Sequence, residues 1–429
     1  MKIESQHEPG LRIEPGISGT GALREFVGTR VARYCSQAYG TALQNVILTG
    51  SLARDEATLI PEEYGWRIPG DAEFILIFRD RARLPEKSGT RTLQDDIETS
   101  LFQAGISGQV DLGVAHESYL RGLRPDIFAY ELGNCGKVLW GPSTILDAIP
   151  KFVSTEIPLE DGWRMLSNRM VEHLETFEEA RRRPKALSQQ ACYRTVKLYL
   201  DAATSLLIFV GKYAPSYAER ARQLEELAAS QSRIGDASLP FDLRKFARRV
   251  AECTEWKISS GKPSPSLSFS FLNPPGFAWW EEAVGYAGEL WRWELGRLTQ
   301  QHAWIPTQEL LRLWMRRQNV SRRLQGWLYV ARDQGWLRSW RRWPRWAKLA
   351  WQASPRYWVY AVGCEMFAAG SRHVQRDSQF SGVDMDWDRL RAHLPVRPAL
   401  KGSRGLSEWS RMRKEVAWNY ERFLTGTRA

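Results

Sequence analysis

The chain has 429 residues, of which 43% are hydrophobic and 25% charged. At roughly 100–200 residues per domain this length predicts two to four domains, and the composition excludes a mainly disordered or fibrous chain. Two figures are unusual: 20 tryptophans and a formal net charge of +11. Residues 1–150 carry 15 Lys and Arg against 20 Asp and Glu, while the remainder carries 45 against 29, so an acidic front (−5) precedes a basic back (+16). Sixteen of the tryptophans lie after residue 270. The N-terminus has no apolar run of the secretory kind, and the longest apolar stretch, Ala202–Gly211, is far shorter than a bilayer span. Five scattered cysteines without a CxxC pair predict reduced, buried thiols. The expectation is a soluble, cytoplasmic protein with no transmembrane segment.

Apolar residues at 3–4 residue spacing predict a helix over Ala22–Gly40. Strand-like runs follow at Asn45–Thr49, Glu73–Phe78, Gln109–Ala115 and Lys137–Trp140, with a helix around Leu93–Gln103. After residue 155 the pattern becomes helical: Leu159–Ala180, Ser188–Val210, a short helix after Pro215, and Asp242–Ile258. The Arg181–Lys185 breaker and the Ser/Pro-rich Gly261–Gly276 linker punctuate it. Phe277–Leu298, Thr307–Gln334, Arg345–Ala369 and Leu406–Leu424 read as further helices, with a polar stretch at Gly370–Asp384. The expected class is α+β: a mixed sheet with flanking helices at residues 20–150, then an all-α region divided into 156–260 and 276–429.

Three segments carry chemistry. In Val46-Ile47-Leu48-Thr49-Gly50-Ser51 an apolar strand ends in Gly-Ser, where glycine lets a ligand approach the backbone and serine offers a hydroxyl. Asp71-Ala72-Glu73 opens the very apolar run to Phe78, and side chains two apart on a strand point the same way. Such a pair is either a solvated strand end or an oxygen ligand set for Mg²⁺ or Mn²⁺, since neighbouring carboxylates repel unless a cation sits between them. Asp111, within Val110–Val114, is a third acid embedded in an apolar strand. If its strand lies beside that of Glu73, three carboxylates converge, as two-metal phosphoryl or nucleotidyl transfer requires.

Gly50-Ser51, Asp71-x-Glu73 and Asp111 resemble the signature of the polymerase-beta-like nucleotidyltransferase superfamily, and Gly50–Thr58 looks most like its small bacterial and aminoglycoside-modifying branch. The resemblance covers residues 22–150 plus a helical follow-on. It implies that Gly50, Ser51 and Arg54 contact the nucleotide, and that Asp71, Glu73 and Asp111 hold metal and serve catalysis. It also makes Glu131–Gly141 the closing strand. Nineteen residues separate Ser51 from Asp71 where the family has fewer, which makes Leu59–Pro69 an inserted loop. Arg194 and Lys197, three apart on one helix face, are further candidates to meet the triphosphate, or else form a solvated basic face. His116 is either an acid/base group or a packing residue.

The implied activity is transfer of a nucleoside monophosphate from an NTP to an acceptor hydroxyl of a small molecule, protein or RNA, with release of pyrophosphate. Alternatives are a degenerate binding module and a template-free oligonucleotide synthase. Residues 311–350 hold 11 Lys and Arg and one acid, Asp333, interleaved with tryptophans. That pattern suits nucleic acid, an anionic membrane surface, an anionic acceptor, or Arg–Trp packing in a helical core. Leu310, Leu313, Trp314, Arg317, Leu324, Trp327 and Leu328 mostly follow a core-facing spacing, with arginines on the opposite side.

Overall fold

The computed structural model describes residues 20–62, 65–182, 187–230, 239–259, 277–301, 305–374, 385–399 and 406–426. The chain divides into two compact units: Met1–Pro158, Gly211–Leu227 and Ala247–Ser268 form the first, and Leu159–Val210, Ala228–Phe246 and Phe269–Ala429 the second. The expected middle domain at 156–260 is therefore not separate, since its residues are shared between the two units. The Gly261–Gly276 linker lies outside the described residues.

The first unit is built on a mixed sheet. In chain order it runs α1 (Thr20–Tyr39), β1 (Leu43–Thr49), α2 (Gly50–Ala53), β2 (Ile60–Glu62), β3 (Gly65–Phe78), α3 (Lys87–Gln103), β4 (Ile106–His116), α4 (Glu117–Arg121), α5 (Ile127–Cys135) and β5 (Lys137–Trp140). β3 is its centre: antiparallel to β1 and β2 and parallel to β4, while β5 pairs antiparallel with β1. A parallel partner requires a crossover, and α3 supplies it. Alternation along the strands sorts the core into two layers. Val46, Leu48, Phe74, Leu76 and Phe78 pack with Leu23, Val27 and Val31 of α1 and with Leu93, Ile97 and Leu101 of α3. Ile47, Ile75 and Ile77 face the other way, onto Leu120, Leu132, Ile145 and Ile149.

Two expectations change here. Leu59–Pro69 is not a loop beside the sheet: β2 and the start of β3 pair as Ile60↔Arg67 and Pro61↔Trp66, so the insertion lengthens the central strand. Gly65 permits this, with φ of 146° and a Cα so close to Gly105 that an added Cβ would lie 1.8 Å from its carbonyl oxygen. Glu131–Gly141 is not one strand either. Asp126 accepts from the Ala129 backbone N–H at 2.6 Å and caps α5, leaving only Lys137–Trp140 extended.

The second unit is helical: α6 (Leu159–Arg182), α7 (Gln189–Phe209), α10 (Phe277–Thr299), α11 (Thr307–Arg316), α12 (Val320–Asp333), α13 (Trp336–Ser339), α14 (Trp343–Gln352), α15 (Pro355–Val374), α16 (Trp387–His393) and α17 (Glu408–Gly426). Two further helices, α8 (Tyr217–Ala229) and α9 (Leu243–Ile258), lie mostly in the first unit. Trp163, Trp280 and Trp291 are fully buried in the helical core. Buried indoles need acceptors, and Trp280 donates to His173 Nε2 at 2.7 Å while Trp291 donates to Ser167 Oγ at 2.8 Å.

Thr307–Gln334 forms two helices, not one. Arg317 leaves the pattern to donate to the carbonyl oxygens of Leu298 and Thr299, and Asn319 caps α12 by accepting from the Ser321 N–H at 2.8 Å. Arg345–Ala369 is likewise split, because Ala353 is extended and Pro355 disfavours helical geometry in the residue before it. The region read as a polar stretch from Gly370 still belongs to α15 as far as Val374, and residues 375–384 lie outside the described set. Among the described residues no helix is long and apolar enough to cross a membrane.

Candidate active site

Asp71 and Glu73 share the strand parity of Ile75 and Ile77, so they belong to the second face of the sheet, midway along β3 where the apolar covering stops. Asp111 joins them from the neighbouring strand. β3 and β4 run parallel with Glu73↔Asp111 and Asp71↔Gln109 in register, and registered partners project to the same face. All three acids are exposed, whereas the residues between and beside them, Ala72, Phe74, Val110 and Leu112, are buried. The juxtaposition is thus fixed by backbone pairing. The side chains themselves do not close into a ligand shell: among the described residues no group of three or more His, Cys, Asp or Glu is disposed to hold a metal ion.

Gly50 completes the constellation. β1 and β3 pair through Thr49↔Glu73, so the chain turns into α2 immediately beside the Glu73 carboxylate. Gly50 has φ of 70°, and a Cβ there would lie 2.7 Å from Glu73 Oε2. The left-handed backbone favours glycine, and the missing Cβ leaves the space the carboxylate occupies. Ser51 follows, half-buried, with its carbonyl accepting from the Glu56 N–H at 2.9 Å.

Arg54, expected at the nucleotide, is instead committed to the interior of the first unit. Its guanidinium donates to Glu56 at 3.0 Å and to Glu131 at 2.7 Å. Glu131 also pairs with Arg220 and accepts from the Tyr213 hydroxyl at 2.5 Å. Burial alone would raise the Glu131 carboxyl, but the Arg220 and Arg54 guanidinia more than offset it and hold it below the usual carboxylate value. Arg54, Arg220 and Lys257 all lie over the Tyr217 ring, at 5.3, 4.9 and 5.3 Å from its centroid. Local pattern could not reveal this cluster, because Glu131 lies 77 residues from Arg54 and 89 from Arg220.

The remaining candidates are dispersed. Arg194 pairs with Glu175 at 2.6 Å, and Lys197 lies 5.7 Å from the Tyr193 ring centroid, both on α7 in the second unit. His116 donates through Nε2 to the Ala82 carbonyl at 2.9 Å, a packing role. The basic 311–350 region contributes to a cleft of about 720 Å³ within the second unit. Arg312, Arg316, Arg323, Lys348 and Arg389 line it with one carboxylate, Glu365, which is engaged by Arg389 and by Gln308 at 3.0 Å. Compared with known proteins, the chain matches no family model, no curated protein and no solved structure.

Proposed function

We propose that the first unit is a metal-dependent nucleotidyltransferase that moves a nucleoside monophosphate from an NTP to an acceptor hydroxyl. The observation that carries the reading is the in-register pairing of Glu73 with Asp111 beside Gly50, which sets two acids on adjacent strands against a strand end built to leave room for one of them. Adjacent exposed carboxylates repel one another and favour a shared cation, and an oxygen-only donor set suits Mg²⁺ or Mn²⁺. Asp71, Glu73 and Asp111 would hold it, and when bound it would supply charge stabilisation for the phosphates.

The chain's own part is to position and to exchange a proton. Gly50 gives the phosphates close approach to backbone, and Ser51 offers a hydroxyl donor. Asp111 accepts the proton of the attacking hydroxyl, and the leaving group is pyrophosphate. The acceptor is a hydroxyl compound: a small molecule, a protein or an RNA.

The test is NTP turnover, read as pyrophosphate release with Mg²⁺ or Mn²⁺, by the full chain and by Asp71→Asn and Asp111→Asn. Both substitutions keep size and remove charge at exposed positions, so folding is retained and turnover is expected to fall by at least two orders of magnitude. Equal turnover in all three proteins sinks the assignment. Metal-dependent nucleotide binding without turnover would favour a binding module instead.

A further inference from the structure

The segment from Trp336 to Trp343 is unlike any other part of the described surface. α13 and the short turn after it expose Trp336, Leu337, Trp340 and Trp343, with Leu337 at 90% and Trp340 at 60%. Ser339 alone is buried, and its hydroxyl donates to the Gly335 carbonyl at 2.8 Å, which ties the knob down. Trp336 and Trp343 meet edge to face at 5.6 Å and line one side of an apolar groove of about 290 Å³, completed by the exposed Leu324 and Leu328 of α12 over a floor of Trp327 and Trp346. Exposed apolar surface of this extent marks an interaction site. Arg338, Arg341 and Arg342 are interleaved with the apolar residues and are exposed too. No acid occurs between Gln334 and Ala350, and Asp333 just before them is paired with Arg422.

We propose that this knob and groove dock the protein on an anionic phospholipid surface. Tryptophan settles at the boundary of headgroup and acyl chain, leucine partitions below it, and interleaved arginines meet lipid phosphates. Charge and side-chain type choose among the possible occupants. A second copy of the chain would set one all-cationic face against another. A nucleic acid would satisfy the arginines and stack on tryptophans, but Leu324, Leu328 and Leu337 have no π-face to offer a base. A bilayer surface uses all three classes of side chain. Attachment is peripheral, and the inference does not depend on the nucleotide reading of the first unit.

The experiment is co-sedimentation of the full chain with vesicles of phosphatidylcholine alone and of two parts phosphatidylcholine to one part phosphatidylglycerol. Tryptophan emission and quenching by bromine-labelled acyl chains are read in parallel. The expected result is binding at least tenfold tighter to the anionic vesicles, with a blue shift and quenching. Leu337→Ser, at a site too exposed to affect folding, is expected to weaken binding severalfold and to reduce the quenching. The triple change Arg338→Gln, Arg341→Gln, Arg342→Gln should remove the preference for anionic lipid, at roughly fivefold per cation. Equal binding to the two vesicle types, no binding to either, or Leu337→Ser binding as the parent does would each overturn the proposal. So would a single-stranded oligonucleotide that displaces the protein from vesicles while binding Leu337→Ser as tightly as the parent. A dimer in sedimentation that Leu337→Ser dissociates would assign the face to self-association instead.

Discussion

Gly50 and Gly40 form a matched pair that separates backbone strain from the chemistry of the candidate site. Both have left-handed backbone, with φ of 70° and 52°, but a Cβ at Gly40 meets nothing within 4 Å, whereas one at Gly50 lies 2.7 Å from Glu73 Oε2. Alanine in left-handed geometry costs about 1–2 kcal/mol, and the loss of glycine's unfolded-state freedom returns about 0.4–1 kcal/mol. Each substitution should therefore destabilise the first unit by about 1 kcal/mol, roughly a fivefold change in the local unfolding equilibrium. The Glu73 carboxylate is the far end of a flexible, exposed side chain, so at Gly50 it moves aside at little further cost in stability. Its displacement of about 1 Å is enough to cost on the order of 100-fold in rate where a reacting group must be aligned. Hydrogen exchange of the β1 and β3 amides reads the first quantity in the first unit alone, and metal-dependent pyrophosphate release reads the second. The expected outcome is similar loss of protection in both variants, with turnover lost only in Gly50→Ala. Equal turnover by Gly40→Ala and Gly50→Ala would refute the reasoning, because strain would then account for everything Gly50 does.

Other consequences follow from buried charge. Glu131→Gln leaves the Arg54 and Arg220 guanidinia without their shared carboxylate and should destabilise the first unit by about 3 kcal/mol or more at neutral pH, measured by urea unfolding. Because the folded-state pKa of Glu131 is lowered, the deficit is present above the ordinary carboxylate value and shrinks as pH falls through the depressed one. Glu294, fully buried on α10, has a carboxyl pushed well above its usual value by burial, with the Ser205 hydroxyl offsetting only part. Its neutral form is the stable one, so Glu294→Gln should match the parent near pH 4 and become progressively more stable than it as pH rises. The His173 imidazole is pushed down to about 3 by burial and by the Arg169 and Arg194 charges. Its contribution is complete above about 6.5 and lost below, so stability should fall by up to about 1.4 kcal/mol per pH unit between 6.5 and 3, a slope reduced in His173→Gln.

The sheet was legible where its strands are apolar and bounded by turn signals, and the predicted Lys137–Trp140 strand is found with the same limits, whereas β2 and the first half of the 14-residue β3 read as a loop. The convergence of Asp71, Glu73 and Asp111 was legible only as a condition, since strand order decides it and α3 sets that order from outside the motif. The fate of Arg54 was not legible at all. A basic residue three positions after Ser51 looks identical in sequence whether it meets a phosphate or a buried carboxylate, and its partner Glu131 is placed by tertiary structure. Helix breaks behaved similarly. Asn319-x-Ser321 and Ser354-Pro355 are recognisable caps and stops once seen, but the continuous apolar spacing across them outweighed those local signals.

The α12 helix shows why periodicity alone misassigned part of the basic region. Leu324, Trp327 and Leu328 have a spacing that suits a buried stripe, yet both leucines are about half exposed while Trp327 is buried. The reason is Gly326. A Cβ there would approach Pro355 Cδ to 2.8 Å, so the helix is pressed against the start of α15 along its Gly326–Trp327 side, and Val330 and Ala331 follow one turn later on that side. Trp327 locks the rotation by donating its indole N–H to the Ala353 carbonyl at 2.8 Å. With the helix held in that orientation, Leu324 and Leu328 are carried round to the groove beside Trp336 and Trp343. The testable consequence is Gly326→Ala. If this close contact sets the face, the added methyl should lower unfolding stability by about 1–3 kcal/mol through overpacking, whereas Leu328→Ser should change it by less than about 0.5 kcal/mol. The opposite ranking would mean that the leucines belong to the core after all, and that the exposed groove is not a feature of the protein in solution.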